Sequence, residues 1–346
     1  MSAPAEAKAW VVTNNKDGVN ALKQETRPVP KPDSREVLVK MKAVSLNYRD
    51  LIIPQGLYPF AVNLPVVAAS DGAGEVIAVG DKVTTVKVGD KVSSLFHQKN
   101  LAGPLNPVSI KTGLGGDIDG CLREYAVFEE HGVVKAPSHL NFEEAATLPC
   151  AALTAWNGLY GNIRPFKAGD SVLVQGTGGV SVFALQFAKA AGTFVIAITS
   201  TDEKARRLTE MGADVVINYK KHANWGEIAK QKSPGGLGVD VVVEIAGEST
   251  LPQSYAAVKI EGTIASIGFV GGPGKSISSL EPLSHVCTLR GIYVGSRAQM
   301  EDMNASIEVN KIHPVIDRHV FDFEHVKEAY EYQLAKKHFG KVVIRI

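Results

Sequence analysis

The stretch Ser171-Val-Leu-Val-Gln-Gly176-Thr177-Gly178-Gly179-Val180-Ser181 constrains this chain most, because an apolar run ends in glycines and opens directly onto a helix-patterned segment. Val180, Phe183, Ala184, Phe187 and Ala188 recur at helical spacing, so one face of that helix packs on a sheet. Gly176 permits a tight turn, and Gly178 lets the backbone approach a phosphate at the positive end of the helix. The expected cradle for a dinucleotide pyrophosphate is therefore Gly176, Thr177, Gly178, Gly179 and Val180. The third small position is Ser181 rather than glycine. An ordinary glycine-rich strand-to-helix turn is the alternative.

The flanking texture divides the chain in two. Residues 1–140 read as short strands punctuated by Gly, Pro and Asp, with 37–44 alternating and 74–80 followed by 88–92, a mostly antiparallel β unit. From about residue 145 strands alternate with helices. Strand candidates are 171–175, 194–199, 214–218, 239–245, 262–268 and 288–294, enough for a doubly wound parallel sheet of the α/β class. Past residue 310 the mixed texture returns and ends on the strand-like 341–346. At 346 residues the chain exceeds one core, so the expected division is 1–140 with 310–346, and 141–309.

Charge and composition exclude several classes. Lys and Arg total 37 against 36 Asp and Glu, a net charge of +1, which offers no broad field to nucleic acid or to an anionic membrane. The opening residues lack the apolar core of a signal peptide, and no run of about 18 apolar residues follows, so a soluble, cytoplasmic protein is expected. Cys121, Cys150 and Cys287 fit neither a disulfide framework nor a zinc ribbon.

The second strand bears on the cofactor. Sheets of this kind that take NAD usually carry an acidic residue about 20 positions past the first glycine, where it binds the ribose diol. Here that place reads Thr199-Ser200-Thr201, with Lys204, Arg206 and Arg207 close behind. Hydroxyls and cations suit the 2′-phosphate of NADP(H) through charge-assisted bonds. Thr199, Ser200 and Lys204 are the candidate ligands. The alternative is that Lys204 and Arg207 form a solvated helix face with Asp202 and Glu203.

Six landmarks run in order: Asn47-Tyr48-Arg-Asp50, Gly56-Leu-Tyr58-Pro59, Asp71-Gly-Ala-Gly-Glu75, Val88-Gly-Asp-Lys-Val92, Leu148-Pro-Cys150-Ala-Ala-Leu-Thr154-Ala155 and the glycine turn. Together they resemble the medium-chain dehydrogenase/reductase superfamily over essentially the whole chain. The resemblance implies a GroES-like, mostly β catalytic domain built from both chain ends, with a Rossmann domain inserted between. Within the superfamily the chain is similar to the zinc-lacking quinone oxidoreductases and the proteins labelled zinc-type alcohol dehydrogenase-like. In the zinc alcohol dehydrogenases a cysteine stands where this chain has Asn47 and a His-Glu pair where it has Ser70-Asp71. Cys150 alone survives at a ligand position. Of the four-cysteine lobe expected between about 95 and 125, only Cys121 is present. None of the nine histidines shows H-x-x-x-H spacing. No metal is expected.

The resemblance also implies roles for single residues. Thr154 matches the threonine that contacts nicotinamide, and Tyr219 the tyrosine that approaches the adenosine phosphate. Ala246-Gly247 and Gly268-Phe269-Val270 fall where backbone reaches ribose and carboxamide. Lys341 belongs to a segment that returns to the cofactor, and its charge suits phosphate. The strand 288–295 is implied as a homodimer edge.

Oxidising a simple alcohol requires stabilised alkoxide character, which zinc supplies by lowering the pKa of bound oxygen, for water from about 15.7 to about 7. Without zinc, a quinone or an α,β-unsaturated carbonyl is the easier acceptor, since conjugation carries the developing charge onto an oxygen. A phenol or an amide then suffices as donor. Tyr58 is the expected donor, Asn47 orients substrate or nicotinamide, and Tyr48 lines the pocket. The leading expectation is a zinc-independent, NADP(H)-dependent oxidoreductase acting on such small molecules. Two alternatives stand beside it: a zinc-independent alcohol dehydrogenase or carbonyl reductase, and a non-catalytic, crystallin-like nucleotide-binding protein that binds RNA.

Overall fold

The computed structural model describes residues 3–272, 274 and 278–346. It forms two compact units, Met1–Leu153 with Gly295–Ile346, and Thr154–Val294. These cuts differ from the expected 140/141 and 309/310. The helix Arg297–Asn310 bonds into the first unit: the Arg297 N–H donates to the Asn100 carbonyl at 2.8 Å, and the Asn304 side chain to the Lys135 carbonyl at 3.0 Å.

The second unit is an all-parallel six-stranded sheet. Val215–Asn218, Phe194–Thr199, Ser171–Gln175, Val239–Glu244, Val258–Ser266 and Thr288–Gly291 lie in that spatial order. Ser171–Gln175 is central, and all its residues are buried, as the Val/Leu-rich run requires of a strand covered on both faces. Its partners lead away in opposite directions, and a ligand-binding crevice forms outside the strand ends at such a switch point. The helix Gly179–Ala190 buries Val182, Phe183, Leu185 and Phe187. Val180 is only half-buried, because it lies on the first turn. The last strand stops at Gly291, short of the expected 294. Ile292 and Val294 turn into the core, and Val294 has a left-handed φ of 59° that a strand does not admit.

In the first unit, Glu36–Ser45 pairs antiparallel with Asp71–Val79, Tyr125–Glu129 and Lys341–Arg345. The expected strand 88–92 starts only at Lys91. Lys87–Asp90 forms a turn in which the Asp90 carboxylate accepts the Lys87 N–H at 3.0 Å. The register sets Ser45 opposite both Asp71 and Val343. Asn47, Asp71 and Lys341, far apart in sequence, are thereby delivered to one end of the sheet. Trp10, Met41, Leu46, Leu51, Phe128 and Tyr330 build the core beneath. Among the described residues no helix is long and apolar enough to cross a membrane.

Candidate active site

The glycine turn has the geometry of an anion cradle. Gly176 has φ of 77°, which an L side chain rarely adopts. Gly178 has an ordinary φ of −78° and caps the 12-residue helix Gly179–Ala190 without a side-chain acceptor. A Cβ at Gly176 or Gly178 meets no protein atom within 4 Å, so the outer face of the turn is bare backbone. The first N–H groups of the helix point there with the positive end of its dipole. Ser181, the departure from glycine, donates its hydroxyl to the Gln175 carbonyl at 2.5 Å and ties the helix under the turn. These residues fit a pyrophosphate.

Because the strands are parallel, their C-terminal ends share one edge of this unit. Gly176, Ser200, Tyr219, Ala246-Gly247 and Gly268-Phe269-Val270 all follow strand ends there. Thr177 and Thr199 are buried, whereas Tyr219 and Phe269 are exposed. Thr154 is buried in the helix Leu153–Tyr160. A carboxylate does stand near the second strand: Asp202 accepts from Asn218 at 2.9 Å and from Lys221 at 2.6 Å. Those two partners hold its carboxyl below the usual range. Thr201 caps the helix Asp202–Glu210 by accepting the Lys204 N–H.

The first unit contains a buried polar cluster. Asp71 is fully buried; its oxygens accept the Ser70 hydroxyl at 2.7 Å and the Cys150 N–H at 3.1 Å, and the Lys341 ammonium is 3.9 Å away. Lys341, only 3% exposed, donates to the Leu46 carbonyl at 2.8 Å and to Asn47 Oδ1 at 2.5 Å. An ammonium only donates, so the Asn47 amide must present its oxygen there, leaving its Nδ2 to face Ser70 Oγ at 3.4 Å. Lys341, expected to suit a cofactor phosphate, is placed in the interior of the first unit, with its ammonium engaged by Leu46 and Asn47 and close to Asp71. Ala69, directly ahead of this cluster, has a left-handed φ of 62°. A non-glycine residue there costs on the order of 1 kcal/mol, strain of the kind found at functional sites.

Burial dominates the electrostatics. It pushes the Asp71 carboxyl up, while Lys341, Asn47, Ser70 and the Cys150 N–H hold it down. Asp50 rises to about 6, again through burial, with Arg49 the main opposing charge. Burial and then Asp71 drive the Cys150 thiol well up, so it is no thiolate. Arg49 donates to Asp50 at 3.1 Å and to the Leu114 carbonyl at 2.9 Å, and its guanidinium carbon stands 5.3 Å from the centre of the half-buried Tyr58 ring. Tyr48 opens the helix Tyr48–Ile52 and packs on the core.

Sequence reasoning did not single out Arg49, Asp50, Ser70 or Asp71 as site residues. One signal was available: Asn47 and Asp50 have capping-box spacing, and the Asp50 carboxylate accepts the Asn47 N–H at 2.8 Å.

These two units correspond to known families. Residues 33–138 match the family described as alcohol dehydrogenase GroES-like domain, and 179–308 the one described as zinc-binding dehydrogenase. A zinc-type alcohol dehydrogenase-like protein of Schizosaccharomyces pombe is 48% identical over 346 residues, covering 98% of this chain and 99% of that one. A 2-methylene-furan-3-one reductase of Solanum lycopersicum is 33% identical, covering 99% and 80%. Among solved structures, a putative alcohol dehydrogenase from Sinorhizobium meliloti 1021 superposes with a TM-score of 0.90 at 39% identity, covering 100% of both chains. An NAD-dependent alcohol dehydrogenase (TM-score 0.86, 30% identity, 98% and 99% covered) and a mycobacterial protein complexed with NADPH (0.80, 26%, 98% and 100%) share the fold. The fold is that of nicotinamide-dependent oxidoreductases. The chain belongs to the medium-chain dehydrogenase/reductase superfamily.

One family description names zinc, and the residues here do not fit it. Asn47 Oδ1 and Asp71 face the Lys341 ammonium, a positive charge that repels a divalent cation. Among the described residues no group of three His, Cys, Asp or Glu side chains is placed to hold a metal ion.

Proposed function

We propose that this protein is a zinc-independent, NADP(H)-dependent reductase that transfers hydride to a conjugated acceptor, a quinone or an α,β-unsaturated carbonyl compound. The observation that carries the reading is the Lys341 ammonium bonded to Asn47 beside Asp71, where a metal-dependent relative needs ligands. When bound, the reduced nicotinamide supplies the hydride. The glycine turn binds its pyrophosphate, and Thr199, Ser200 and Lys204 meet the 2′-phosphate, with Asp202 already engaged by Lys221 and Asn218. Tyr58 donates a hydrogen bond, and then a proton, to the acceptor oxygen as charge develops on it. Asn47, its oxygen fixed by Lys341 and its Nδ2 facing Ser70 Oγ, holds the buried polar cluster on which the substrate side of the site is built.

Relatives named as reductases, the tomato enzyme above and an acryloyl-coenzyme A reductase of Metallosphaera sedula, support reduction of activated alkenes. The protein works in the cytosol on small molecules. It forms a homodimer through the edge strand Thr288–Gly291, on which Leu289 is exposed and before which Leu283 and Val286 are exposed. Product analysis with a 2-alkenal tests the proposal: a saturated aldehyde supports it, and an allylic alcohol moves the protein to the carbonyl reductases.

A further inference from the structure

A buried carboxylate with no part in the proposed chemistry lies at the centre of the strand ends. Glu244 closes the strand Val239–Glu244 and is fully buried. Its Oε1 accepts the Ala246 N–H at 2.8 Å, the Gly247 N–H at 3.0 Å and the Thr250 hydroxyl at 2.7 Å. Its Oε2 accepts the Gln175 amide at 2.6 Å and the Ser254 hydroxyl. All of these partners are neutral donors, so the arrangement holds an anion in the interior by hydrogen bonds alone.

The partners define what that anion does. Gln175 is the residue before Gly176, and its carbonyl receives the Ser181 hydroxyl from the helix below the turn. Gln175 Oε1 in turn accepts the Ile245 N–H at 3.3 Å. The same segment bonds outward to the next strand end, through the Val270 N–H to Ile245 at 3.3 Å and the Gly271 N–H to Ala246 at 3.0 Å. Gly247 takes a left-handed φ of 85°, and a Cβ there would come within 3.1 Å of the Gly268 oxygen, so the two loops are closely apposed. One side chain therefore bonds directly to two of these strand ends, and through the backbone of 245–246 it reaches a third.

We infer that Glu244 is a positioning residue: its carboxylate clamps the Ala246-Gly247 backbone to the glycine turn through Gln175, and so sets the nicotinamide half of the bound dinucleotide relative to the pyrophosphate. The inference rests on the dinucleotide reading of this edge. It assigns the nicotinamide end, rather than the adenosine end, to the control of Glu244.

The test is a titration of the full-length protein with two ligands, NADPH and adenosine 2′,5′-bisphosphate, which lacks the nicotinamide half. Glu244→Gln preserves volume but sets an N–H against N–H and O–H donors. It is expected to weaken NADPH about tenfold while the bisphosphate stays within about twofold, since a buried donor left unpaired carries its full desolvation penalty. Gln175→Met, which cuts the tie to the turn and leaves Glu244 its other donors, is expected to show the same split at about threefold. It carries the test if Glu244→Gln does not fold. A folded variant that binds NADPH as well as the parent, or one that loses both ligands in parallel, overturns the inference. NADH and AMP are titrated alongside. A parent protein that binds NADH as tightly as NADPH defeats the NADP(H) reading, and the NADH-against-AMP split then decides the role of Glu244.

Discussion

Replacing Lys341 with methionine separates a buried structural role for this cation from the phosphate-ligand role that the sequence suggests. The ammonium makes two hydrogen bonds, at 2.8 and 2.5 Å, and faces a buried carboxylate at 3.9 Å. Methionine fills much of the same volume but leaves Asn47 Oδ1 unsatisfied and Asp71 without its cation. Removing one partner of a buried ion pair costs about 3 to 5 kcal/mol, and the better packing of methionine recovers part of that, so a loss of about 3 kcal/mol is expected. The loss has a defined pH dependence. Asp71 already has a raised carboxyl pKa, and Lys341 is the strongest influence holding it down. Without Lys341 it rises further. An acid whose folded pKa lies above its unfolded value contributes stability that is present at low pH and lost as pH rises through the folded pKa. The deficit of Lys341→Met should therefore be smaller near about pH 5 than near about pH 8 in urea unfolding. NADPH affinity should stay within about threefold if the ammonium serves only Leu46, Asn47 and Asp71. A variant with parental stability at both pH values, but with collapsed NADPH affinity, would refute this reasoning and return Lys341 to the cofactor phosphate.

Three further outcomes follow from single residues. Gly178→Ala introduces a Cβ that meets no protein atom at an ordinary φ; unfolding free energy should change by no more than about 1 kcal/mol while the NADPH dissociation constant rises at least about tenfold, and unchanged affinity would remove the turn from the binding site. Asp50, raised from 3.8 to about 6, contributes stability present below its unfolded pKa and lost as pH climbs through about 6; Asp50→Asn should flatten a decline on the order of 3 kcal/mol between those values, and an unaltered pH profile would show that another group is responsible. Tyr58→Phe should lower turnover about a hundredfold with NADPH binding intact, whereas parental turnover would exclude the phenol as proton donor.

The second unit was legible because its signals are local. A buried parallel strand reads as an unbroken apolar run, and the turn residues after Gln175 follow from the backbone geometry they must adopt. All six strands of the sheet lie within three or four residues of their expected positions. The strand 288–294 was overextended because Ile292 and Val294 are as apolar as strand residues, and only the left-handed φ at Val294 shows that the chain has turned inward. The first unit's site was harder to read, since it is assembled by register. Nothing near Lys341 in sequence indicates that Val343 pairs with Ser45, and that pairing carries the ammonium to Asn47. Glu244 was invisible for a related reason: its partners Gln175 and Ser254 come from separate segments of the sheet and its helices, and an isolated Glu at a strand end gives no sign of whether it faces solvent or five donors.

The central claim, hydride transfer to a conjugated acceptor without a metal, is tested most directly by one experiment. Chelator-treated protein of measured zinc content is offered NADPH with a small quinone, a 2-alkenal and the matched saturated aldehyde in parallel. Oxidation of NADPH by the zinc-free protein, confined to the quinone or the alkenal, is the predicted result. Turnover of the saturated aldehyde, or activity that appears only when zinc is restored, would contradict it and place the protein among the metal-dependent alcohol dehydrogenases.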